Sequence, residues 1–251
     1  MDSKAELQQI ADSQPYSLLL ATVSGAHLYG FASQDSDHDL RGIHVLPLPQ
    51  IVGLYSQQQT IEVSKVTRYI ELDLVTHDVQ KFFNLLLKRN GYVLEQLYSP
   101  LIIRTTPEHK ELKEIAHGCI TRHHVYHYLG FAKTQWQLVN QEIPPKVKPL
   151  LYLYRVLLTG IYLMQTGKIE ANLNLLNQEF NLSYIPDLIA QKVSGKEKAT
   201  IEKLDLEFHQ REYDRLKEKL ALSSRNSDLP DAPTAKPVLN DLLVRIRLNN
   251  Y

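Results

Sequence analysis

The chain has 251 residues, of which 43% are hydrophobic and 22% are charged. This composition is typical of a globular protein and excludes disorder of the whole chain. The 28 basic residues balance the 28 acidic ones, which excludes nucleic-acid binding through bulk positive charge. The single cysteine, Cys119, excludes an intrachain disulfide and a cysteine cage for zinc. We interpret Cys119 as a small buried hydrophobic residue.

Residues 1–118 carry the patterns of both strands and helices. Apolar runs and polar–apolar alternation predict strands over 17–23, 39–46, 69–75 and 101–104. Apolar residues at helical spacing predict helices over 3–13, 78–88, 92–98 and 107–117. We therefore predict an α+β fold, with a small mixed β-sheet and its helices in a first domain, residues 1–118.

The remainder of the chain, residues 119–251, predicts an α-helical bundle domain. Its helices are expected over 122–141, 147–166, 169–180, 185–193, 196–222 and 237–249. The segment 223–236 is polar and contains prolines, which predicts a linker. We find no run of about 18 apolar residues and no signal peptide, so we expect a cytoplasmic protein without a membrane partner.

Acidic residues concentrate early in the chain and basic residues in the middle. Between residues 119 and 168, six basic residues face a single acidic one, Glu142. This asymmetry would suit a divided site in which acids hold metal and bases hold phosphates. A solvated helix face explains the same asymmetry, and charge counts alone favour that explanation.

Three carboxylates form the most informative pattern. A buried strand runs into Gly25, where glycine lets the backbone turn closely around a phosphate. Asp37 and Asp39 follow, and two residues apart on a strand they project from one face. Asp73 on another strand supplies a third carboxylate, with Glu71 as the alternative two residues away. Such a set can bridge two divalent cations, and Mg²⁺, or Mn²⁺ in its place, suits these oxygen ligands.

These residues also carry a family resemblance. The glycine turn at Gly25-Ala26, followed by Asp37-His38-Asp39-Leu40, resembles the signature of the polymerase-β nucleotidyltransferase superfamily. The longer string through Arg41-Gly42, and the Lys81-Phe82 and Asn90-Gly91 helices, are similar to a predicted bacterial subgroup that includes members linked to RNA repair. The resemblance covers roughly residues 17–105. It implies that residues 1–118 are a nucleotidyltransferase domain.

The resemblance implies transfer of a nucleotidyl group from a nucleoside triphosphate to an acceptor hydroxyl, with Mg²⁺. By position, Asp37 and Asp39 would hold both metals and Asp73 the catalytic one. The superfamily often has serine after the glycine, and here that position is Ala26. A set of further residues is expected to bind or shape the nucleotide site: Ser24, Gly25, Ala26, Tyr29, Ser36, Arg41, Lys133 and Lys148.

Several of these residues have a second, structural interpretation. Arg41 would pair with a carboxylate of the site or contact the nucleotide, and its structural interpretation is a plain ion pair with Asp37. Tyr29 would pack in the core, and Ser36 would cap the turn before Asp37. Trp136 is more typical of a core residue than of a platform for a base. His123 and His127 lie one helical turn apart, but no third ligand accompanies them, which favours histidines at the surface or core edge.

Two classes of function follow. In the first, the chain is a nucleotidyltransferase that acts on an RNA end, possibly that of a tRNA, or on a protein hydroxyl. In the second, it is a catalytically weak or inactive nucleotide-binding module, such as a partner in a toxin–antitoxin pair. The three acidic residues favour the first class, and Ala26 favours the second.

Overall fold

The computed structural model describes residues 3–55, 58–67, 70–141, 144–194 and 205–249. Within them, a mixed β-sheet and a large set of helices confirm the predicted α+β class. The sheet has five described strands in the order β3-β4-β2-β1-β5. The pair β2–β4 is parallel, and the other pairs are antiparallel. The strands are β1 Leu18–Val23, β2 His38–His44, β3 Thr60–Val66, β4 Glu71–Asp78 and β5 Ile102–Thr105.

The sequence patterns located four of these strands but missed β3. Its polar positions Thr60, Glu62 and Ser64 alternate with apolar Ile61 and Val63, which is a strand pattern. Strand β3 lies at the sheet edge, and most of it is exposed. An edge strand with one polar face offers a weaker apolar signal than the fully buried β1.

Most of the helices also confirm the predictions. Two short helices, α2 and α3, were not predicted, and α2 occupies the expected turn at Gly25. The first part of the predicted helix 196–222 lies outside the described residues, and its described part continues to Arg225, inside the expected linker. The first six helices are α1 Ser3–Asp12, α2 Gly25–Tyr29, α3 Leu48–Val52, α4 Val79–Leu87, α5 Gly91–Tyr98 and α6 Pro107–Ala116. The remaining helices are α7 Val125–Gln141, α8 Val147–Thr166, α9 Leu173–Phe180, α10 Ile185–Ser194, α11 Leu206–Arg225 and α12 Lys236–Asn249.

One face of the sheet packs on the N-terminal helix. Leu40 of β2 and Leu72 and Leu74 of β4 belong to one buried cluster with Leu7 and Ala11 of α1. Because side chains alternate along a strand, the residues between these leucines project from the opposite face. That alternation places Asp39, Arg41 and Asp73 together on the other side of the sheet.

The chain forms two compact units that are not consecutive in sequence. Unit 1 comprises residues 1–25, 37–120 and 232–251, and therefore holds the sheet and α12. Unit 2 comprises residues 26–36 and 121–231. The division into domains 1–118 and 119–251 stays a prediction about domain organisation.

Helix α8 is long and apolar enough, by length and composition alone, to cross a membrane. However, 78% of its most apolar stretch is buried within the protein. A helix that is apolar on all sides is also the pattern of a buried core helix.

Candidate active site

Asp39 and Asp73 lie side by side on the two parallel strands. The register of β2 and β4 pairs Asp39 directly with Asp73. The Arg41 guanidinium lies between their carboxylates: Nη2 donates to Asp39 Oδ1 at 2.5 Å and to Asp73 Oδ2 at 2.8 Å. Both contacts are also ion pairs. Two of the three predicted carboxylates are therefore brought together by the sheet.

The other nitrogens of Arg41 bind fixed groups around it. Nε donates to the Tyr92 hydroxyl at 2.8 Å, and Nη1 donates to the carbonyl oxygens of Leu40 at 3.2 Å and Asp73 at 2.6 Å. Burial lowers the pKa of the Arg41 guanidinium, but the Tyr92 hydroxyl and the Asp39 and Asp73 carboxylates raise it more. The guanidinium is thus a permanent, immobilised cation.

Of the alternatives for Arg41, the structure shows pairing with carboxylates, and the partners are Asp39 and Asp73. The spacing predicted that Asp37 lies on the same strand as Asp39. In the structure, Asp37 lies one residue before the start of β2. It lines a cavity of about 350 Å³ together with Glu71, Asp73 and residues of β3. Asp37 and Asp73 therefore share a cavity, whereas Asp39 and Asp73 share a guanidinium.

The register also bears on the choice between Glu71 and Asp73. Glu71 is exposed at the start of β4 and pairs with Val66 of the edge strand. Asp73 is the residue in register with Asp39. Asp73 is therefore the one of the two that the register places beside Asp39, while both line the same cavity.

The carboxylates of Asp39 and Asp73 are candidate ligands for the divalent cation that the resemblance implies. Among the described residues, no three His, Cys, Asp or Glu side chains form a group able to hold a metal ion. Asp39 and Asp73 nevertheless already accept a cation, the Arg41 guanidinium, between them. Carboxylate oxygens are the ligands that Mg²⁺ takes. The pair therefore fits a divalent cation, and Asp37 lines the same cavity as Asp73.

Gly25 brings the backbone against Asp39. Its φ is +60°, and a Cβ built on it would lie 1.8 Å from Asp39 Oδ2. The preceding residue, Ser24, donates its backbone N–H to the Asp39 carbonyl oxygen at 2.8 Å. The Ser24 hydroxyl oxygen is fully buried and has no hydrogen-bond partner among the described residues. The end of β1 and the Asp39 carboxylate are thus in close contact.

The other predicted nucleotide-binding residues lie in unit 2. Ala26 is buried in α2, and Tyr29 is buried with its ring centroid 4.0 Å from the Arg155 guanidinium carbon. Ser36 accepts a hydrogen bond from the Ser33 backbone N–H at 3.0 Å, which closes the turn before Asp37. The two predicted lysines differ: Lys133 is exposed on α7, and the Lys148 ammonium lies 5.9 Å from the Tyr152 ring.

The histidine cluster and Cys119 have local partners. His123 Nε2 lies 3.4 Å from an Asp231 carboxylate oxygen, and burial, with a smaller contribution from Arg155, lowers the pKa of His127 to about 4. Cys119 is fully buried, as predicted, and burial raises the pKa of its thiol to about 11.

Sequence reasoning missed two parts of the site. Tyr92, at the start of α5, is the hydroxyl partner of Arg41. Ser64 and Lys65 of β3 line the cavity beside Asp73. The alternation along β3 was a usable signal for the strand, but nothing local to Tyr92 indicates its contact with a residue 51 positions earlier.

The comparison with protein families agrees with the resemblance. Residues 1–245 match the model of the RlaP family, described as the RNA repair pathway DNA polymerase beta family. The chain therefore belongs to this RNA repair pathway DNA polymerase beta family.

Two proteins from different organisms are similar to part of the chain. The chain is 30% identical over 156 residues to the uncharacterized protein MJ0002 of Methanocaldococcus jannaschii, with 61% of this chain aligned. It is 29% identical over 170 residues to the uncharacterized protein YcgL of Bacillus subtilis, with 65% of this chain aligned. Each alignment spans 63% of the relative's length.

Among solved structures, a nucleotidyltransferase-like protein from Exiguobacterium sibiricum matches with a TM-score of 0.34 and 13% identity. The alignment covers 89% of this chain and 73% of that chain. This similarity is too low to carry a conclusion about the chain.

Proposed function

We propose that the protein is a metal-dependent nucleotidyltransferase that moves a nucleoside monophosphate from a nucleoside triphosphate to the hydroxyl of an RNA end. The observation that carries this proposal is the pairing of Asp39 with Asp73 on parallel strands, directly against the Gly25 turn. Membership of an RNA repair family supports RNA as the acceptor. The proposed setting is the cytoplasm.

The roles of the acidic residues follow from charge. A triphosphate beside Asp37, Asp39 and Asp73 would be repelled unless cations intervene. When bound, Mg²⁺ would supply that positive charge and polarise the phosphates. We assign Asp37 and Asp39 to holding the cation at the triphosphate, and Asp73 to the second cation.

The reaction needs one proton acceptor. The acceptor hydroxyl oxygen forms a bond to the α-phosphorus, and the bond from that phosphorus to the bridging oxygen of the β-phosphate breaks. Diphosphate leaves with the electron pair, and Asp73 helps to remove the hydroxyl proton. The Arg41 guanidinium donates to one oxygen of Asp73, Oδ2, which leaves Oδ1 as the oxygen for the proton.

The test is incubation of the protein with Mg²⁺, each α-labelled nucleoside triphosphate, and an RNA that has a free terminal hydroxyl. We expect diphosphate release and a label on the RNA. Asp39→Asn should weaken both nucleotide binding and turnover. Asp73→Asn should keep much of the binding and lose about 10²–10⁴-fold in turnover.

Glu71→Gln is the matched control, because Glu71 lies at the same cavity but is not in register with Asp39. If Glu71→Gln lost turnover while Asp73→Asn retained it, Glu71 would be the third carboxylate. Metal-dependent transfer that survives Asp39→Asn would contradict the mechanism.

A second candidate is a non-catalytic nucleotide-binding module. Ala26 favours it, because this position has no hydroxyl for the triphosphate. Nucleotide binding without diphosphate release, for every nucleotide and acceptor tried, would support this candidate. Label on the protein itself, in the absence of RNA, would instead indicate a protein hydroxyl as the acceptor.

A further inference from the structure

Arg41 occupies the place between two carboxylates that a metal ion would be expected to take. We infer that Arg41 is an internal cation that competes with the divalent metal for Asp39 and Asp73. The metal then binds weakly to the protein alone, and it binds tightly only when a nucleoside triphosphate supplies further ligands. This inference rests on the proposed function, and it assigns a regulatory role to a residue of the same site.

The geometry supports competition for the same oxygens. One nitrogen, Nη2, bonds to a carboxylate oxygen of Asp39 and to one of Asp73, at 2.5 and 2.8 Å. A metal that took the same two oxygens would have to displace this nitrogen. A metal that took the other oxygens would lie close to a positive charge that is always present.

The contacts of Arg41 hold its guanidinium in place beside the two carboxylates. The guanidinium is buried, and its Nε and Nη1 groups bind the Tyr92 hydroxyl and two carbonyl oxygens. These contacts come from α5, β2 and β4, so they hold the cation against the carboxylates. A surface arginine on a flexible side chain would not be fixed in this way.

Electrostatics sets the expected direction. A single positive charge about 3 Å from both carboxylates cancels much of their attraction for a second cation, because Coulomb energy falls only as the inverse of distance. Removing the charge should therefore tighten the binding of a metal to the protein alone. If Arg41 only supported the two carboxylates, removing it would weaken metal binding, because the carboxylates would lose their support.

The probe is Mn²⁺ without nucleotide, and its dissociation constant is measured at pH 7.5 by electron paramagnetic resonance of the free ion. We expect Arg41→Gln to bind Mn²⁺ at least about tenfold more tightly than the wild type. Arg41→Lys keeps the charge and should stay near the wild-type value. Arg104→Gln, an exposed arginine of the same sheet paired with Asp12, should change nothing.

Unchanged or weaker Mn²⁺ binding by a folded Arg41→Gln protein would overturn the inference. If that variant does not fold, the wild type decides. The Nε–H signal of Arg41, measured by NMR, must shift when Mg²⁺ is added with a non-hydrolysable triphosphate analogue. A signal that does not move at saturation would overturn the inference.

The aspartate variants separate this inference from the proposed function. If Asp39→Asn and Asp73→Asn leave Mn²⁺ binding intact, the proposed metal site is wrong, and the inference about Arg41 fails with it. If they abolish binding while Arg41→Gln does not tighten it, the metal site stands and only the role of Arg41 is wrong.

Discussion

At Gly25, a single hydrogen atom in place of a side chain lets the Asp39 carboxylate approach the backbone. The residue has a positive φ, which L-residues rarely adopt. The space that a side chain would need is already filled by Asp39 Oδ2. Both conditions, conformation and space, therefore require glycine at this position.

We predict that Gly25→Ala lowers the free energy of unfolding by about 1–3 kcal/mol. It should also lower transferase activity more than a substitution elsewhere that costs the same stability. The alanine has to adopt a strained φ and push the Asp39 carboxylate aside. Gly130→Ala is the control, because a Cβ there meets nothing within 4 Å and the residue lies inside α7. Urea unfolding should show Gly130→Ala unchanged or up to about 1 kcal/mol more stable.

Asp78 joins several elements of unit 1. It is the N-cap of α4, where it accepts from the Gln80 backbone N–H, and its other oxygen accepts from the Leu46 N–H. Arg247 of α12 donates to Asp78 at 2.6 Å and to the Leu46 carbonyl oxygen at 2.9 Å. Both charged side chains are buried, so the pair attaches the C-terminal helix to the sheet.

We predict that Arg247→Met lowers the free energy of unfolding by about 3–5 kcal/mol, because it leaves the Asp78 carboxylate buried without its cation. The measurement is urea unfolding followed by circular dichroism. Arg245→Gln, two residues away, is the control: its ion pairs with Glu111 and Asp241 are solvent-exposed. Equal midpoint shifts for the two variants would contradict a special role for the buried pair.

At the scale of the molecule, a buried histidine, His44, and two half-buried ones, His77 and His127, have lowered pKa values. Burial, as the largest cause, lowers the pKa values of His44, His77 and His127 to about 4 each. The three lie in both compact units. In the unfolded chain these groups would titrate near pH 6.5, so acid favours the unfolded state.

The sign of the pH dependence follows from linkage. Between about pH 6.5 and 4 the unfolded chain binds more protons than the folded protein, so stability is lost as the pH falls through this range. We predict that the urea concentration at which half of the protein is unfolded is lower at pH 4.5 than at pH 7. His44→Gln should reduce this difference, since His44 is fully buried.

The sequence by itself determined the elements and their class, because the apolar periods of strands and helices are local properties. It also identified the Asp37, Asp39 and Asp73 carboxylates and the Gly25 turn, since residue type and spacing carry that chemistry. The family match agrees with the resemblance that these residues carry, and their roles stay predictions. Edge strand β3 escaped because exposed strands have a weak apolar signal.

Only the tertiary structure decided which of these residues meet. Asp39 and Asp73 are 34 positions apart, and they become neighbours because β2 and β4 pair in parallel with one particular register. The sequence left the partner of Arg41 open, and the strand pairing placed its guanidinium between Asp39 and Asp73. The alternation of apolar residues fixes which face Asp39, Arg41 and Asp73 share, since a one-residue shift in register would turn them to the other face. Which strands pair, and that Tyr92 of α5 meets Arg41, depend on contacts between segments far apart in sequence.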